Sequence, residues 1–182
     1  PLFRFVASCP SEILAALLSL GTERSFYWDL LLTIGAALLG LALGTAFGAI
    51  LGAGAAQVQV VARLWLPFAR VASAVPILAI GPAAIVSLGF GFSLKVGCAF
   101  FSTIFLAASQ TFEAARHVSI RDLSARSAEP VPLLRAVYKF LAPATADWIV
   151  AGAAQNLGAA ILGAIFGEFI SSDSGIGRRM LS

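Results

Sequence analysis

The side chains that could do chemistry are sparse and scattered. His117 is the only histidine, and with no clustered ligands nearby in sequence it reads as a solvated loop residue. Cys9 and Cys98 stand far apart, which suggests neither a disulfide framework nor a metal pair. No GxxxxGK[ST] stretch is present to cradle a phosphate. A membrane enzyme would need paired carboxylates, clustered histidines or a nucleophile beside a base, so no catalytic or metal-ligating residue is assigned. What remains are polar side chains inside apolar runs. Ser73, Ser87, Ser102, Thr103 and Ser109 can satisfy themselves on a preceding backbone carbonyl. Gln155 and Asn156 are stronger candidates, because an amide is costly to bury unpaired. Such groups usually face a bundle interior or a cavity, so Ser73, Ser87, Ser102, Gln155 and Asn156 are taken as candidates to line a pathway.

The elements that must position them are membrane helices. The chain is 59% hydrophobic and 12% charged, with a mean hydropathy of +0.93, whereas soluble domains carry about 25% charged residues. The expected class is an all-α polytopic membrane protein. The net charge of +3 does not point to nucleic acid, which would require a basic face with stacking aromatics; the phenylalanines lie in apolar runs.

A span needs about 20 apolar residues, and four stretches qualify, at about 30–54, 66–88, 94–112 and 144–169. Before them, "SCPSEILAALLSL" is too short to cross and reads as an interfacial amphipathic helix. Tyr27 and Trp28 follow where an aromatic belt belongs. The first span carries Gly40, Gly44, Gly48 and Gly52 at four-residue spacing, a groove that lets another helix approach closely. The second holds Pro67, Pro76 and Pro82, which should kink it and turn it toward protein or water-lined space. Between the third and fourth spans, residues 113–143 include Arg116, Arg121, Arg126, Arg135 and Lys139. Together with Arg63 and Arg70 these basic residues make that side cytoplasmic by the positive-inside rule.

Three stretches carry a resemblance. "SCPSEILAALLSL", "SAVPILAIGPAAIVSLGFGFSLK" (Ser73 to Lys95) and "GEFISSDSGIG" (Gly167 to Gly177) occur in that order, and each is similar to a segment of the permease subunits of binding-protein-dependent ABC importers, closest to the nitrate/sulfonate/taurine type. The resemblance implies the type I importer permease fold, here with about four of the family's six helices and without its first and last. It implies a transmembrane subunit in the bacterial cytoplasmic (inner) membrane that forms the path for a small solute, such as a sulfonate, nitrate or carboxylate. Implied partners are ATPase subunits holding ATP and Mg, a second permease subunit (homodimer or heterodimer), a periplasmic or lipid-anchored substrate-binding protein, and membrane lipid. No cofactor is expected in this chain.

The family's signature is a cytoplasmic "EAA…G…I.LP" loop that docks on the ATPase. Taking Pro143 as its final proline puts the glutamate position at Ser124, the alanines at Ala125 and Arg126, and the glycine at Pro130. The literal Glu113–Ala115 lies too far upstream and reads as the end of the third span. By resemblance, the coupling segment is Ser124, Ala125, Arg126, Ser127, Ala128, Glu129, Pro130, Val131 and Leu134. The loss of the usual Glu and Gly leaves an alternative: a degenerate, non-translocating membrane partner that anchors or regulates the ATPase. Glu168, near the end of the fourth span, is expected to pair with a partner chain or to face water.

Overall fold

A computed structural model describes residues 23–74, 77–116, 142–171 and 174–181, and among them every regular element is helical. In order these are α1 (Arg24–Gln57), α2 (Gln59–Ala74), α3 (Ile77–Leu88), α4 (Phe92–Ala115), α5 (Ala142–Ser171) and α6 (Ile176–Leu181). Backbone inside a bilayer must bond to itself, and a helix does so within one segment. By length and composition α1, α4 and the Thr145–Ser171 part of α5 can cross a membrane. The N-terminal amphipathic stretch and residues 117–141, with every coupling position from Ser124 to Leu134, lie outside the described residues.

The 66–88 stretch, expected as one kinked span, lies on two helices. α2 contains Pro67 and α3 contains Pro82, each of which removes a helix hydrogen bond. The two still climb past α4 in turn. Trp65 stands 6.3 Å from Phe112 and Phe68 stands 6.1 Å from Phe105, whereas Ala84 packs at the other end with Leu94 and Cys98. Gly89 and Gly91 then turn the chain into α4 with φ of 71° and 105°, a region that side chains with a Cβ rarely enter.

α1 and α4 run parallel along the glycine seam. Gly40 abuts Ala99 and Phe100, Gly44 abuts Thr103, Gly48 abuts Ala107, and Gly52 abuts Ala108 and Phe112. A Cβ on Gly48 would lie 2.6 Å from the Ile104 carbonyl oxygen, and one on Gly52 2.9 Å from the Phe112 nitrogen. α5 runs antiparallel to α4, with Gly152 under Gln110, Gly163 against Cys98 and Gly167 against Lys95. The centre is built from small residues (Ala36, Ala37, Ala99, Ala160 and Ala164). Leu38, Leu39, Leu43 and Ile50 point outward. Small residues inside and large apolar ones outside is the pattern of helices that associate by close packing in lipid, where burying leucine gains little.

Candidate functional site

Among the described residues, two polar sites break the apolar packing, one near each end of α4. The first joins α4 to α5. Gln110 and Asn156 exchange hydrogen bonds, Asn156 Nδ2 donating to Gln110 Oε1 at 3.0 Å and Gln110 Nε2 donating to Asn156 Oδ1 at 3.2 Å. Gln110 Nε2 also approaches Gln155 Oε1 at 3.3 Å. Gly152 makes room, since a Cβ there would press on the Gln110 amide. Asn156 is only 3% exposed, whereas Gln155 lies on the exposed face of α5. Gln110 sits five residues from the end of α4, about 8 Å into the helix. Of the candidate amides, Gln155 and Asn156 are thus brought together, and Gln110 is the third member that their sequence neighbourhood did not reveal.

The second site ties the turn before α6 into the bundle. Lys95 and Glu168 are 1% and 0% exposed. Lys95 Nζ donates to the Ser174 carbonyl at 2.6 Å and to its hydroxyl at 2.9 Å, and stands 3.8 Å from Glu168 Oε1. Glu168 Oε1 accepts from Thr33 Oγ1 at 2.6 Å and Oε2 accepts from the Gly177 N–H at 2.7 Å. The Ile176 N–H donates to Thr33 Oγ1 at 3.2 Å, and the Gly175 N–H to Asp29 Oδ1 at 3.0 Å. Gly175 has φ 106°, and a Cβ there would lie 2.6 Å from Glu168 Oε2, so only glycine lets this turn settle on the carboxylate.

Outside the cluster, Arg179 pairs with Asp29 and, at 3.0 Å, with Glu23. Its hydrogen bonds to Asp29 and then Glu23 push the guanidinium above its ordinary value. Glu168, expected to meet water or a partner chain, is instead enclosed by its own chain. Its partners come from α1, α4 and the first turn of α6, and sequence spacing alone does not join them. The available signal was a cation, Lys95, and an anion, Glu168, each at the edge of an apolar run.

The remaining candidates are dispersed. Ser87 and Ser102 donate to carbonyls four residues back, Ala83 and Cys98, at 2.8 and 2.9 Å. Ser73 lies on α2. Ser102 also lines a half-open cleft of about 250 Å³ among α2 to α5, whose walls include Ala72, Ile80, Phe101, Phe105 and Phe166. No group of three or more His, Cys, Asp or Glu able to hold a metal occurs among the described residues. The geometry offers hydrogen bonding to a polar solute through Gln155 and mechanical joining through the Lys95–Glu168 cluster.

Two likenesses to known proteins bear on this arrangement. Residues 44–182 match the family model described as binding-protein-dependent transport system inner membrane component. The chain is also similar to a probable ABC transporter permease protein of Haemophilus influenzae, with 25% identity over 143 residues. That alignment covers 79% of this chain and 58% of the relative.

Proposed function

The chain belongs to the family of binding-protein-dependent transport system inner membrane components, and from that premise we propose that it is the transmembrane subunit of an ABC importer, forming the path of a small solute. The observation that carries the reading is the amide cluster: Gln155 lies open on α5, Gln110 donates to it from behind, and Asn156 holds Gln110. Polar groups at this depth mark a protein or water-lined interior. The amide N–H groups suit an oxyanion, in keeping with the resemblance to the nitrate/sulfonate/taurine branch, and a sulfonate, nitrate or carboxylate is the proposed cargo.

The energy then comes from ATP and Mg in separate ATPase subunits. A second permease subunit completes the path, and a periplasmic or lipid-anchored binding protein delivers the solute. The Ser124–Val137 segment couples ATPase closure to this chain, from the cytoplasmic face of the inner membrane.

Reconstitution with an ATPase and a binding protein tests the reading. Binding-protein-stimulated ATPase activity and solute uptake should both fall on deleting Ser124–Val137, and stimulation that survives the deletion would sink the coupling claim. Crosslinks to the ATPase should form from Ala128 or Val131 more readily than from Ala114, which is buried in α4. Ser124 and Pro130, in the places of the usual Glu and Gly, favour a second reading, the anchoring partner without a path of its own. In that case vesicles would import solute only with a different permease subunit present, and Gln155→Ala would leave uptake unchanged.

A further inference from the structure

α2 is amphipathic in a way that lipid contact alone does not explain. At about 100° per residue, positions 59, 63 and 70 fall on one face of the helix, as Gln59, Arg63 and Arg70. Gln59 and Arg63 are exposed. Val60, Leu64 and Val71 share a second face, also exposed. Between the two on the far side, Trp65 and Phe68 meet Phe112 and Phe105 of α4. α2 runs antiparallel to α4. Around α4 it stands between α1, seated on Ala107 and Ala108, and α5, seated on Gln110. Right-handed winding then turns the apolar face to the α1 side. It turns the face of positions 59, 63 and 70 to the α5 side, where Gln155 lies open.

This polar face also runs deep. Phe68 meets Phe105, which stands ten residues before Ala115, the end of α4, or about 15 Å. Arg63 precedes Phe68 by as many residues as Gln110 follows Phe105, so position 63 is level with the amide cluster. Position 70 lies two residues beyond Phe68, close to the midpoint of a helix about 36 Å long. A charged residue at that depth is costly in lipid and faces a bundle interior or a water-filled cavity. Either end of α4 is farther away than an arginine reaches by snorkelling. Among the described helices, no Asp or Glu stands at that level. α1 has none after Asp29, α2 and α3 have none, and those of α4 and α5 are Glu113, Asp147 and Glu168, near the helix ends.

We propose that the Gln59–Arg63–Arg70 face of α2 is a second wall of the solute path, with Arg70 as the residue that selects anions. This rests on the path reading above and deepens it: Gln155 offers hydrogen bonds, and Arg70 supplies the field. The same field repels cations and leaves neutral solutes without a gain.

The test uses the transporter assembled with its ATPase and binding protein in phospholipid nanodiscs, which leave both faces open to reagents. The chain carries Cys9→Ser and Cys98→Ala, and salt is held near 10 mM, where screening acts over about 30 Å. Introduced cysteines are read with three methanethiosulfonates, bearing a sulfonate, a trimethylammonium or a neutral hydroxyethyl group. Gln59→Cys and Arg63→Cys should react with all three, whereas Leu64→Cys and Val71→Cys should not react. At Gln155→Cys, the sulfonate should be favoured over the ammonium reagent relative to their rates with free cysteine. Arg70→Gln and Arg70→Met should each cut that preference about fourfold, the effect of one charge about 10 Å away in water on an anion against a cation. Arg70→Lys should keep the preference, and an unchanged rate with the neutral reagent reports that the variants fold. A preference that ignores the loss of Arg70 overturns the proposal and leaves the path reading standing. Reaction at Leu64→Cys and Val71→Cys in place of Gln59→Cys and Arg63→Cys does the same. A Gln155→Cys chain inert to all three reagents overturns the path reading, and this proposal with it.

Discussion

Replacing Lys95 by Met tests how the outer turn is held. Methionine fills much of the same space, so the change removes charge and hydrogen bonds more than volume. It leaves the Ser174 carbonyl and hydroxyl without their donor, at 2.6 and 2.9 Å, and leaves Glu168 without the cation 3.8 Å away. Removing one member of a buried charged pair costs about 3–5 kcal/mol. At about 2–4 °C per kcal/mol for a chain of this size, the melting temperature of the purified chain should fall by roughly 6–20 °C. Glu168→Gln leaves one carbonyl oxygen where two oxygens accepted from Thr33 and Gly177. It strands one donor against an NH₂ group, at about 1–3 kcal/mol. The double variant removes both charges and should cost less than the two singles together, with an interaction energy of about 0.5–3 kcal/mol. Because 3.8 Å is too long for a hydrogen bond, that interaction should be less than half the Lys95→Met loss, the rest running through Ser174. Thermal unfolding followed by tryptophan emission measures all three. A Lys95→Met chain melting within about 2 °C of the parent, a shift worth no more than about 1 kcal/mol, would refute the assignment of Lys95 as the tie. An interaction larger than the single loss would refute its routing through Ser174.

Other substitutions probe the rest of the bundle. Gly48→Leu places a side chain against the Ile104 carbonyl and should destabilise by about 1–3 kcal/mol or more, visible as a lower melting temperature, whereas Gly54→Leu, with open space around it, should be close to neutral. Asn156→Leu leaves Gln110 Oε1 without its donor and Gln110 Nε2 with only the longer contact to Gln155, and should cost about 1–3 kcal/mol. Gln155→Ala should keep the melting temperature yet lower solute uptake in reconstituted vesicles. Gly175→Ala must adopt a strained φ and push on Glu168, a backbone cost of order 1–3 kcal/mol, and should expose the Ser174–Gly177 turn to protease.

The fold class was legible because membrane burial writes itself into composition. Leu30 to Gly54 carries no ionisable side chain, and no soluble helix needs so apolar a run. The glycine periodicity marked a face for close approach, but a period on one helix cannot name the helix it meets; α4 as the partner comes only from the structure. The polar sites were less legible for the same reason. Gln155 and Asn156 stood out as amides in an apolar run, yet Gln110, 45 and 46 residues away, carried no local mark. Lys95 could be placed near a membrane surface by its charge, but its Ser174 acceptors lie 79 residues on. A carboxylate at a span's end satisfies the same pattern whether it meets water or a lysine, and Glu168 meets a lysine.

The seam between α1 and α4 also bears on entropy. A leucine or methionine interface must freeze rotamers as it forms, at about 0.5–2 kcal/mol per side chain. Gly40, Gly44, Gly48 and Gly52 have none to freeze, and neither do Ala99, Ala107 and Ala108 opposite them. In lipid, where there is little hydrophobic gain to offset such a loss, this makes association cheap. It also means that few interlocked side chains oppose axial slip. Thr103, set against Gly44 and reaching the Gly40 carbonyl at 3.4 Å, is one catch. Thr33, bonded to Glu168 on α5, is another, and Asp29, paired with Arg179 and accepting from the Gly175 N–H, is a third, so the vertical setting of α1 is governed by a few polar contacts along an otherwise smooth rail.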